Sequence, residues 1–320
     1  MKLTIADIES ARDRIAKHVH LTPVLTSATL AQLGGVASVH LKCESFQKTG
    51  SFKVRGALNA ILQLDDAARA RGVVTVSAGN HAQAVAWAGR LAGARATVVM
   101  PAAASQTKAA ASRGYGGEVI LHGTGAEAFA RAHELAKEKG FTLVHPFDDV
   151  GVAAGAGTVG LEIAEQVPDA DIVIVPIGGG GLISGVAAAI RAKNPRAKVY
   201  GVEPEGAASM KMSVDAGRAV KLESPPKTIA DGLAAPFAGE LAYQIVRDMT
   251  EGVALVTDEE IAQAASLLLM RTKILAEPAG AAGLAALLTK KIPVTPQSRV
   301  VVIVSGGNVD VAKLVGMLGS

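Results

Sequence analysis

The sequence holds a single cysteine, Cys43, in 320 residues. That excludes an intrachain disulfide and any zinc site built on cysteine pairs. Aromatic residues are scarce too, at 3% of the chain, and no run of Lys or Arg is longer than Lys290-Lys291. A nucleic-acid partner, which needs a basic face interleaved with stacking rings, is therefore not expected. None of the seven histidines stands four residues from another. A catalytic zinc on one helix face is not expected either, and no metal ligand set is assigned. One charge-free stretch, the nineteen residues Ile172 to Ile190, is long enough to suggest a membrane-spanning helix. Pro176 and the four glycines Gly178 to Gly181 lie inside it and would break a membrane-spanning helix. It reads as a buried strand, a loop and a helix. Asp7, Glu9 and Arg12 in the first periodic segment argue against a secretory leader. The expectation is a soluble, cytoplasmic protein with no membrane partner.

Hydrophobic residues make up 49% of the chain, with 35 glycines, a mixture that suits close-packed helices on a sheet. Thr4 with Asp7 three residues on, followed by Ile5, Ile8, Ala11 and Ile15, predicts a capped helix from Thr4 to Val19. Val39 to Lys42 reads as a short strand. Further strands are expected at Val73–Ser77, Ala96–Met100, Glu118–Leu121 and Phe141–Val144. A second series follows at Asp171–Val175, Lys198–Val202, Val253–Val256 and Val300–Val304. The segments between are helical in pattern, for example His81–Leu91 and Glu127–Lys139. Strands alternating with helices mean an α/β fold with parallel sheet and helices on its faces. Two such series suggest two units with a ligand cleft between them.

The chain is organised around Lys53. Apolar residues three and four apart from Ala57 to Leu64 predict a helix, and Thr49, Gly50 and Ser51 are start signals. Lys53 then lies in or just before the first turn. There the positive end of the helix dipole lowers a lysine pKa and favours the neutral amine that attacks a carbonyl. A lone lysine at this position reads as readily as an ordinary surface residue. Three glycine-rich turns further along weigh against that reading.

Gly178 to Gly181 follow a strong strand and open a helix at about Leu182. Successive glycine N–H groups can converge on an anion at a helix N-terminus, with Ser184 as a possible extra donor. A flexible turn is the alternative, and the missing Lys excludes a nucleotide-binding P-loop. Ser77-Ala78-Gly79-Asn80-His81 joins a strand end to a helix start, where N–H groups, Ser77 and the Asn80 amide could hold a carboxylate. An ordinary N-cap explains that stretch equally well. Gly155 to Gly160 matches a dinucleotide fingerprint by spacing, yet no strand runs into it and no acidic residue follows at the required distance. Close backbone packing at a helix start is the better reading, and NAD is not expected.

Ser51-Phe52-Lys53-x-Arg55-Gly56 resembles the cofactor-lysine motif of fold-type II pyridoxal-phosphate enzymes, the group with threonine dehydratases and serine racemases. The resemblance extends in order through Ser77–His81, Gly178–Leu182, Glu277-Pro278-Ala279-Gly280 and Ser305-Gly306-Gly307-Asn308. It implies a two-domain fold similar to the tryptophan synthase β fold, with residues 73–147 inserted into a larger domain of 1–72 and 148–320. It also implies a homo-oligomer, a dimer or tetramer. Pyridoxal phosphate would be held by Phe52, Lys53, Asn80, Gly178 to Gly181, Leu182, Glu277 and Ser305, with Lys53 as the catalytic Schiff-base amine. A small amino-acid substrate would sit on Ser77, Ala78, Gly79, Asn80 and His81, its side chain against Gly232 to Phe237. That segment carries no Lys or Arg, which disfavours an acidic substrate. The serine at position 305 would leave the ring nitrogen largely unprotonated, which suits loss of a β-substituent better than transamination. A divalent-cation site of some relatives would align with Glu203, Ala207 and Ser209, but serine there lacks the charge of the usual acid.

The activity implied is an ammonia-lyase acting on a β-hydroxy L-amino acid, most simply L-threonine or L-serine. Competing readings are a serine racemase, a β-replacing synthase, a dehydratase of phenylserine or hydroxyaspartate, and a non-catalytic amino-acid sensor. Racemases of the family place a serine where this chain has Ala78. The chain ends soon after Ser305, without room for a regulatory domain, so a catabolic role is expected.

Overall fold

Strands apolar on both faces must be covered on both sides. In the computed structural model, which describes residues 2–318, this requirement shapes the larger of two sheets. It runs β1 (Val24–Thr26), β2 (Ser38–Cys43), β10 (Arg299–Val304), β7 (Ile172–Pro176), β8 (Lys198–Pro204), β9 (Gly252–Val256) in spatial order. Only β1, on the edge, is antiparallel to its neighbour. Side chains alternate across the sheet. Val300, Val302, Ile172 and Ile174 enter one core, and Val301, Ile303, Val173 and Val175 enter the other.

The smaller sheet is wholly parallel, in the order β5 (Glu118–Leu121), β4 (Ala96–Met100), β3 (Val73–Val76), β6 (Thr142–Leu143). All nine strands expected from the sequence are present within a few residues of their predicted bounds, and β1 is the addition. The first helix is capped by Thr4 and Asp7 as expected, but it ends at Ile15 rather than Val19. Ile172 to Ile190 folds as strand, glycine loop and helix, and no described helix is long and apolar enough to cross a membrane.

Gly155 to Gly160 does not start a helix. It lies within Val150–Gln166, which begins at the Asp149 cap. Close packing is nonetheless its role. A Cβ on Gly155 would lie 2.3 Å from the Arg55 carbonyl oxygen, and one on Gly185 would lie 2.3 Å from the Ala153 carbonyl oxygen. The missing side chains let three helices touch backbone to backbone, and one of them carries Lys53.

That contact frames a buried ionic cluster. The Arg55 guanidinium donates to Glu44 through Nε and Nη2, both at 2.8 Å. It donates to Glu162 through Nη1 at 2.6 Å and Nη2 at 2.9 Å. Lys42 Nζ donates to Glu162 at 2.5 Å, to Gln166 Oε1 at 2.8 Å and to the Thr22 carbonyl at 2.9 Å. Thr22 Oγ1 donates to Glu44 at 2.5 Å. Two cations and two anions thus balance, with Arg55 and Lys42 fully buried. Removing one member of such a set strands the others in a medium that solvates them poorly. Arg55→Met should therefore lower the unfolding free energy by about 3–5 kcal/mol in urea denaturation. A loss under about 1 kcal/mol would show that the cluster is not a structural anchor.

Candidate active site

Lys53 is the first residue of its helix, Lys53–Leu62, yet no side chain caps that helix. Thr49, expected as a start signal, lies in a left-handed turn at φ +56°, and Phe52 occupies the cap position. The start is fixed by backbone bonds to the end of β10 instead. Phe52 N–H donates to the Ser305 carbonyl at 3.1 Å, Gly307 N–H donates to the Gly50 carbonyl at 2.9 Å, and Ser51 pairs with Gly306. The lysine and serine motifs, from opposite ends of the chain, form one clasp.

The Lys53 Nζ donates to the Pro146 carbonyl at 2.9 Å and lies 5.2 Å from the centroid of the Phe52 ring. Burial lowers its pKa to about 8, against the smaller opposing pull of the Glu277 carboxylate. Desolvation, which the sequence does not report, is the main cause. Glu277 is itself buried, and burial followed by the negative charge of Asp231 raises its carboxyl to about 7. Asn308 Nδ2 donates to the Thr49 carbonyl at 2.7 Å and to Asn80 Oδ1 at 2.8 Å. Asn80 Nδ2 in turn donates to Glu277 at 2.6 Å. This relay fixes both amides.

Every cofactor-binding residue named from the sequence, and the whole Ser77–His81 turn, lines one cavity of about 440 Å³. It opens where strands end, as ligand clefts of parallel sheets do. Ser77, Ala78 and Gly79 follow β3, and Asn80 and His81 open the next helix, whose cap residue is Gly79. Ser77 Oγ accepts from the Gly79 N–H at 3.1 Å. His81 Nε2 lies 3.2 Å from the Val144 carbonyl, which places its proton there and leaves Nδ1 as an acceptor. Burial, then the charge of Lys53, pushes its pKa down to about 3, so the ring is neutral.

Gly178, Gly179 and Gly180 follow β7, and Gly181 and Leu182 begin the helix Gly181–Lys193. Gly180 has φ +101°, a conformation that a side chain rarely adopts. A Cβ on Gly179 would fall 2.3 Å from the Phe147 ring. Ser184 is not part of this cup, because its hydroxyl donates to the Gly180 carbonyl at 2.7 Å. Ser305 is buried at the cavity wall, its Oγ 3.5 Å from the Ala279 carbonyl. Glu203 lies apart and accepts the Met210 and Lys211 N–H groups, each at 2.8 Å. Burial raises its carboxyl to about 8. Among the described residues, no three acidic, His or Cys side chains cluster as a metal site.

Several wall residues were missed. Pro146 and Phe147 follow β6, and their only sequence signal is a proline-bearing loop after a short strand. Lys108 and Asp231 also line the cavity, brought together from segments with no shared motif. Phe237, expected on the substrate side chain, does not reach the cavity and packs 5.2 Å from Phe147.

A family model described as "Pyridoxal-phosphate dependent enzyme" matches residues 15–306. The chain belongs to this family. It is 45% identical to an L-threonine ammonia-lyase of Thermotoga maritima, across 97% of this chain and 76% of that one. It is 43% identical to a catabolic L-threonine dehydratase of Staphylococcus aureus, across 99% and 92%. A solved serine racemase from maize superposes with a TM-score of 0.94 at 42% identity, across 100% and 98%.

The cavity fits pyridoxal phosphate. A buried amine stands at one wall, and a glycine cup at a helix N-terminus stands ready for a phosphate. Among the described residues, no carbonyl outside that helix accepts the N–H groups of Gly178 to Leu182. The Lys53 amine should titrate near pH 8, its neutral and reactive form gaining as pH rises through that value. Reductive methylation of the cofactor-free protein, followed at Lys53 by mass spectrometry across pH, checks this. A midpoint near the ordinary value of 10.5 would contradict the burial argument.

Proposed function

We propose that this chain is a pyridoxal-phosphate-dependent ammonia-lyase that converts L-threonine or L-serine to a 2-keto acid and ammonia. The observation that carries the reading is the company Lys53 keeps. Its amine, lowered by burial to about 8, faces the same cavity as the glycine cup and the Ser77–His81 turn. Relatives named for L-threonine supply the substrate class. The two sheets are taken as two domains, 73–147 set into 1–72 and 148–320. A cytoplasmic location, read from the charged N-terminal segment, and a homo-oligomer, read from the resemblance, are part of the same reading.

Pyridoxal phosphate, when bound, supplies an electron sink that makes the Cα proton of an amino acid removable. Lys53 would hold it, with the N–H groups of Gly178 to Leu182 on its phosphate and Asn80, Glu277 and Ser305 along its ring. The N–H groups that follow Ser77 receive the substrate carboxylate and so orient the Cα–H bond toward Lys53. Freed by exchange with the substrate amine, Lys53, whose amine burial lowers to about 8, would take that proton as a general base. Lys53 would return that proton to the β-hydroxyl, which leaves as water, and the enamine, displaced as Lys53 takes back the cofactor, hydrolyses to the keto acid and ammonia. Glu277 accepts from the Asn80 amide at 2.6 Å, which would hold its carboxyl along the cofactor's edge.

The racemase similarity makes racemisation the second reading, and Ala78 is what separates the two. Racemisation requires an acid on the face opposite Lys53, and a methyl group cannot return a proton. A keto-acid assay over L-threonine, L-serine, phenylserine and hydroxyaspartate, paired with chiral chromatography of the L-serine reaction, tests this. Pyruvate should outpace D-serine by more than about tenfold, and Ala78→Ser should raise the D-serine share. D-serine accumulating as fast as pyruvate in the wild type would contradict the lyase reading.

A further inference from the structure

The rim of the cavity carries a charge arrangement that the reaction itself does not use. Lys108, from the helix Gln106–Gly114, makes an ion pair with Asp231, which opens the segment running on to Gly232–Pro236. A second cation, Lys313, lies 3.5 Å from the other oxygen of Asp231. Lys108 and Asp231 both line the cavity, and so does Asp310. Burial works against ionisation of Asp231, but its bond to Lys108 and the charges of Lys108 and Lys313 outweigh it and hold the carboxyl below its ordinary value. The lysine that could meet an anionic side chain is therefore already committed, and the carboxylate holding it faces the same space.

We propose that Asp231 is a specificity-determining residue that excludes anionic side chains, by occupying Lys108 and Lys313 and by repelling a second carboxylate. The proposal rests on the β-hydroxy amino acid reading and deepens it, because it names neutral side chains as the substrate class. It also replaces the sequence argument from the absence of basic residues in 232–237. A basic residue does reach the cavity, from another segment, and is neutralised there.

Asp231→Asn keeps the shape of the side chain and releases both lysines. Titration calorimetry of the holoenzyme with succinate and with butyrate reads the preference for a second carboxylate without turnover. The ratio of succinate to butyrate affinity should rise at least tenfold in Asp231→Asn and fall back in Asp231→Asn/Lys108→Met. In parallel, kcat/KM for hydroxyaspartate relative to L-serine should rise by a similar factor. Lys108→Met alone, which leaves Asp231 its charge and removes a cation, should bind succinate more weakly than the wild type does. This arm stands even if Asp231→Asn does not fold. An unchanged ratio in Asp231→Asn, a wild type that prefers succinate, or unweakened succinate binding in Lys108→Met would overturn the proposal. A calorimetric shift in a protein that releases no keto acid would overturn the lyase reading and leave this one standing.

Discussion

The Arg55 guanidinium, held between Glu44 and Glu162, is the contact on which the placement of the site depends. Arg55 lies two residues from Lys53 in the first turn of the same helix, so whatever fixes one fixes the other. Its partners come from the turn after β2 and from the helix Val150–Gln166, and Lys42 ties in β2 itself. Replacing such a cluster by apolar groups of equal volume can be neutral in stability. Its value lies in geometry, because only one arrangement of the three elements satisfies all four charges. Gly155 lets the helices of Arg55 and Glu162 approach closely enough for those bonds to form.

A second constraint joins the two ends of the chain. The backbone clasp between Gly50–Phe52 and Ser305–Gly307 sets the helix start beside the end of β10. The Asn308–Asn80–Glu277 relay then carries that order across to the smaller sheet's first helix. With these in place, the amine of Lys53 is desolvated without being paired to a carboxylate. That is how a lysine comes to titrate near 8.

The strands were legible because β-branched runs on a doubly covered sheet leave a dense apolar signature, as in Val300–Val304. β1 was not, since a three-residue edge strand that is mostly solvent-facing has no such pattern. The residues of the site were legible from local motifs, most of them at a strand end or a helix start. What they do to one another was less so. The cap expected from Thr49 to Ser51 gave way to a long-range backbone clasp, and the lowered lysine pKa came from burial, which no local window reports. Gly155 to Gly160 signalled close packing correctly but at the wrong place in its helix. Lys108 and Asp231 meet only through tertiary folding, and Ser184 was lost to its own helix backbone.

The central claim is that one amine, Lys53, is the residue to which the cofactor is attached. Borohydride reduction of the holoenzyme, followed by proteolysis and mass spectrometry, tests it most directly. The account predicts the added mass of the reduced cofactor on the peptide containing Lys53 and on no other. The same mass on another lysine, such as Lys42 or Lys108, with Lys53 unmodified, would contradict it.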